Sequence, residues 1–153
     1  MQKKNILIIR RGLFGDSVVA IKALQYIREK EDLNIQLHYL SDFHPNKDFL
    51  TSKDVLSHLN LIDKFYNFQS FSTILGCINN FFLFLKLVKK YNKLIILECN
   101  YSSSSIFIKR SIKLGKFLGI SQIVFDNCTT LHRDKSQVYI ATNLLNFISN
   151  HYN

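Results

Sequence analysis

The aliphatic run Ile6-Leu7-Ile8-Ile9 passes without a break into the turn Arg10-Arg11-Gly12-Leu13-Phe14-Gly15 and on to Asp16. Consecutive aliphatic residues leave no polar face, so this strand has to be covered on both sides. That is the habit of parallel sheets sandwiched between helices. Asp16 suits a helix N-cap, and Val18, Val19, Ala20, Ala23, Leu24 and Ile27 give the helix it would start a broad apolar face. In a parallel α/β domain, a turn at the carboxyl end of the first strand is where ligands sit.

The rest of the chain repeats that rhythm. Ile35 to Leu40 reads as a second strand, with Ile35, Leu37 and Tyr39 alternating against Gln36 and His38. Short helical turns are expected over Asp48 to Leu59, a third strand over Leu61 to Phe68, and a long helix over Phe71 to Tyr91. Leu94 to Cys99 reads as a buried fourth strand, followed by the serine-rich turn Asn100 to Ser105. A basic amphipathic helix over Ile106 to Leu118, a short fifth strand over Ile123 to Phe125 and a helix over Gln137 to Ser149 complete the pattern. Strands alternating with helices imply right-handed crossovers. The expected fold is therefore an α/β, Rossmann-like three-layer sandwich with a parallel sheet of about five strands, in a single domain over 1–153.

Charge is unevenly spread over this frame. The net charge is +9, and Lys86, Lys89, Lys90, Lys93, Lys109, Arg110, Lys113 and Lys116 face only Glu98 within their segment. Such a field favours an anionic partner: nucleic acid, an acidic membrane or a phosphorylated substrate. Lys109, Lys113 and Lys116 fall on one helical face, which reads as solvated or as a contact for acidic headgroups. Cys77, Cys99 and Cys128 are too few and too scattered for a disulfide framework. A reducing cytosol is expected, and Cys99 is expected in the core. The most apolar window, Ile74 to Val88, is shorter than the roughly 20 residues a spanning helix needs. The expectation is a soluble cytoplasmic protein that at most touches the inner membrane face.

Several chemistries can be set aside. Gly12 and Gly15 supply only part of G-x-G-x-x-G, and no G-K-[ST] occurs, so no dinucleotide or nucleotide cofactor is expected. The histidines show no metal-ligand spacing, and no G-x-S-x-G elbow is present. What remains is the turn. Asp16 is either a cap or a carboxylate at the ligand-facing edge. Arg10 and Arg11 follow directly on the strand, so at least one should project over that edge, where a guanidinium suits phosphate or carboxylate. Gly12, Gly15, Ser102 and Ser103 complete the candidate binding residues.

The stretch NILIIRRGLFGDSVVAIKALQYIRE resembles the N-terminal domain of the ADP-heptose:lipopolysaccharide heptosyltransferase family, with Gly15-Asp16 as the most specific point. NIQLHYLSD, LIDKFYNF, KKYNKLIILEC, IKLGKFLGISQIVF and SQVYIATNLLNFI resemble later segments of that domain in order, while Lys22, Asn92 and Glu98 depart from its pattern. The resemblance implies one half of a GT-B glycosyltransferase, with the donor-binding domain absent and little activity alone. It implies Asp16 as general base, an anionic glycan or lipopolysaccharide-core acceptor, and a nucleotide-sugar donor held mostly by the missing half. The alternatives are a non-catalytic glycan- or partner-binding module, or a basic nucleotide or nucleic-acid binder.

Overall fold

A computed structural model describes residues 5–10, 14–32, 34–42, 50–69, 73–88, 90–97, 112–117, 119–120, 122–125 and 137–153. The elements are β1 (Asn5–Ile9), α1 (Phe14–Lys30), β2 (Gln36–Ser41), α2 (Ser52–Leu56) with a 3-10 turn (Ser57–Leu59), and β3 (Lys64–Asn67). They continue with α3 (Ile74–Val88), β4 (Lys93–Ile96), α4 (112–117), β5 (Gln122–Phe125) and α5 (Gln137–Tyr152).

The sheet is five-stranded and parallel, in the order β3-β2-β1-β4-β5. β1 lies at its centre, with Ile9 opposite Leu40 on one side and Ile96 on the other. This central place answers to the unbroken aliphatic run, since both faces of β1 are buried. Ile6 and Ile8 join Leu37, Tyr39, Ile95 and Leu97 in one core layer beneath α1 and α5. Leu7 and Ile9 join Leu40, Leu94 and Ile96 in the other, beneath α3 and α4. The two-residue period of a strand thus deals alternate side chains to two separate cores.

Two local expectations change. The helix begins at Phe14 rather than Asp16, so Asp16 stands in the first turn, where a carboxylate complements the helix dipole without being the cap. β2 does not alternate between core and solvent. His38 is buried as well, with Nδ1 hydrogen-bonded to the Tyr91 hydroxyl and its ring edge-on to that of Tyr91. A strand inside a doubly covered sheet has no solvent face, so its polar residue must find a partner. Cys99, the turn Asn100 to Ser105 and the loop Asp126 to Lys135 lie outside the described residues.

The amino edge of the sheet is fastened by ion pairs. Lys93 Nζ lies 2.8 Å from Glu31 Oε1 and donates to the Tyr152 hydroxyl at 2.8 Å, while that hydroxyl donates to Glu31. This joins the ends of α1 and α5 to the start of β4. Arg28 reaches the carbonyls of Leu61 and Ile35 and the carboxylate of Asp63, which also accepts from the Leu37 N–H at 2.7 Å. These groups satisfy backbone atoms at loop entries, and they lie at the opposite end of the sheet from the turn after β1.

Candidate functional site at the carboxyl edge

The strand order places β4 beside β1, although β2 and β3 intervene in the chain. The chain leaves β1 for α1 on one face and leaves β4 toward α4 on the other. The carboxyl ends of β1 and β4 therefore flank a topological switch point, the usual ligand crevice of an open parallel sheet.

Arg10 spans this point. The residue is 2% exposed. Its N–H bonds the Leu40 carbonyl, continuing the β1–β2 ladder. Its Nη1 donates to the Leu97 carbonyl at 2.6 Å and its Nε to the Asp16 carbonyl at 2.6 Å. Its Nη2 lies 3.7 Å from Asp16 Oδ1. One guanidinium thus ties the end of β1, the first turn of α1 and the segment after β4. A planar fork with several donors suits this three-way task better than an ammonium would.

Asp16 remains 44% exposed beside it. Beneath the same turn, Ser17 Oγ donates to Ser52 Oγ at 2.6 Å, linking α1 to the start of α2. The Tyr39 hydroxyl has no hydrogen-bond partner of good geometry among the described residues. Burial pushes the Tyr39 phenol up to about 12, opposed by the Arg10 charge and the Ser17 hydroxyl and assisted by Asp16. Around Gly15, no atom lies within 4 Å of where a Cβ would stand. The glycine is not needed for packing, and it leaves room for another molecule to approach the helix backbone.

Of the residues singled out in the sequence, Arg10, Gly15 and Asp16 come together at the switch point. Arg11, Gly12, Ser102 and Ser103 lie outside the described residues. Ser17, Tyr39 and Ser52 were not singled out, although the inward register of Tyr39 on β2 was legible. Ser17 and Ser52 sit 35 positions apart, with no pattern to connect them. No group of three or more His, Cys, Asp or Glu that could hold a metal occurs among the described residues. No described helix is long and apolar enough to cross a membrane.

No family model matches this chain, and no curated protein matches it. Among solved structures it is similar to the dodecameric FMN-dependent UbiX-like decarboxylase from Escherichia coli O157:H7, at 14% identity and a TM-score of 0.45. The match covers 96% of this chain and 94% of that one. The heptosyltransferase resemblance is corrected by these findings: no family model of glycosyltransferases and no curated glycosyltransferase matches the chain. The sugar-transfer function falls with it, as do the glycan or lipopolysaccharide acceptor and the nucleotide-sugar donor. The ordered segments that carried the resemblance are those any parallel α/β domain of this strand order would supply. An aliphatic strand followed by a turn and an amphipathic helix is common to such domains and does not by itself specify a function.

Proposed function

We propose that this domain binds a small phosphorylated molecule at the carboxyl edge of its sheet, over the gap between β1 and β4. The observation that carries the reading is Arg10, laid across that gap and holding both rims in register. Its own donors are engaged, so Arg10 is a positioning residue. Phosphate oxygens would take the main-chain N–H groups at the amino end of α1, with Gly15 allowing close approach and Arg11 and Gly12 completing the turn. Asp16 would accept a hydrogen bond from a ligand hydroxyl, and Ser102 and Ser103, in the chain that follows β4, would add hydroxyl donors. The basic surface would raise the rate at which an anion arrives. A cytoplasmic setting belongs to the same proposal, supported by the exposed Cys77 thiol.

Titration with flavin mononucleotide, whose own fluorescence reports binding, and with inorganic pyrophosphate tests the reading. Saturable binding that weakens at least about tenfold in Arg11→Ser or Gly15→Val, with the fold retained by circular dichroism, is expected. Absence of saturable binding of either probe, or binding indifferent to both substitutions, would overturn it.

A further inference from the structure

Helix α3 is apolar on the side that faces away from the sheet. Asn80, Phe84 and Leu87 are buried against the core. Asn80 fixes the rotation of the helix: its Oδ1 accepts from the Gln69 N–H at 2.6 Å and its Nδ2 donates to the Gln69 carbonyl at 2.8 Å. With that face pinned inward, Ile74 (83% exposed), Leu75 (68%), Ile78, Phe81 and Phe82 point outward. Ile74, Ile78, Phe81 and Leu85 recur at intervals of four, three and four residues. That is the narrow seam along which one helix packs on another, rather than the broad face of a helix lying on a sheet.

We infer that this seam is an interface with a second copy of the chain, α3 packing antiparallel on α3 about a two-fold axis. Three observations favour a copy over other occupants. The seam carries no charge between Ile74 and Leu85, so it is complementary to itself, as an isologous contact requires. Its two ends also match. A cleft of about 510 Å³ lies at the carboxyl end, lined by Phe82, Leu85, Lys86 and Lys90. Antiparallel pairing sets the most exposed pair, Ile74 and Leu75, of each copy opposite that cleft in the other. Finally, five large side chains at this exposure present on the order of 500 Å² of apolar surface, at the upper end for a lone protein. Two such patches bury about 1,000 Å², the floor for a specific interface. Each copy carries a charge of +9, so mutual repulsion opposes assembly and salt should strengthen it.

Sedimentation equilibrium of the full chain at 50 and 500 mM NaCl reads the inference. A monomer–dimer equilibrium is expected, tighter at high salt. Ile78→Lys and Phe81→Lys should each weaken it at least about tenfold, while Phe117→Ser, an exposed aromatic outside the seam, leaves it unchanged. Thermal unfolding checks that each variant folds. A wild-type chain monomeric at every concentration, or a dimer indifferent to both lysine substitutions, would overturn the inference. So would loss, in the seam variants alone, of binding to phosphatidylglycerol vesicles by a chain that stays monomeric; that would assign the seam to a lipid surface.

Discussion

Arg10 donates across 2.6 Å to the main-chain carbonyl of Leu97, a residue 87 positions further along the chain. The bond closes the carboxyl end of the sheet where two neighbouring strands part to opposite faces. The same side chain holds the Asp16 carbonyl, so the position of the first turn of α1 depends on it. Replacing Arg10 by Met removes the donor to the Leu97 carbonyl and the additional bond to the Asp16 carbonyl, and is expected to cost about 3 kcal/mol. Arg10→Lys, with one compact head, should recover only part of that. Urea unfolding of both variants measures it, and equal stability of Lys and wild type would show that the fork is not needed.

Tyr39 offers a change in the other direction. Its hydroxyl is buried without a well-formed hydrogen bond, so Tyr39→Phe should stabilise the domain by about 1 kcal/mol. The variant should also remove an alkaline sensitivity. The folded phenol titrates at about 12, above its ordinary value of 10. Folding disfavours the phenolate, so this group leaves stability independent of pH below pH 10 and lowers it as pH rises from 10 toward 12, a fall that Tyr39→Phe should not show. Comparing unfolding of the two proteins at pH 9 and pH 11 checks both statements.

His38 sets the acid side. Burial pushes its pKa down, as do the charges of Lys64 and Lys90, against the opposing pull of Asp63. A depressed histidine contributes stability that is present above its ordinary pKa of 6.5 and lost as pH falls below it. NMR should find the His38 ring neutral at pH 6.5. A double variant, His38→Leu with Tyr91→Phe, should flatten the fall in stability between pH 7 and pH 5.

At the amino edge, Lys93, Glu31 and Tyr152 form a nearly buried triad. Breaking it from one side leaves an uncompensated charge, so Lys93→Met is expected to destabilise by about 3 kcal/mol. Removing both charges, Lys93→Met with Glu31→Leu, should cost less than Lys93→Met alone. Chemical denaturation of the single and double variants decides the sign of the coupling.

The order of strands and helices was legible because burial on both faces of β1 demands an unbroken apolar run, and the rest followed from periodicity. The turn after β1 was legible as well, but the strand order that sets β4 beside it was not. What the sequence did not disclose is where polar and apolar residues go against their type. Arg10 reads as a guanidinium projecting over the edge toward a ligand, but the gap beside β1 takes it in and its donors go to the Leu97 and Asp16 carbonyls. The α3 seam reads as core, since an apolar residue looks alike whether a sheet or another chain covers it. Glu31 and Tyr152 stand 121 positions apart, and only the folded sheet brings them to Lys93. The family resemblance failed for a related reason: most of its length was apolar strand and helix sequence that a parallel α/β domain uses whatever it binds.

Amide NMR with flavin mononucleotide or pyrophosphate added stepwise tests the ligand site most directly. Saturable shifts centred on Arg10 to Ser17, Leu97, Ser102 and Ser103 are the predicted result. Shifts centred on Glu31, Lys93 and Tyr152 at the opposite edge, or none at all, would contradict it.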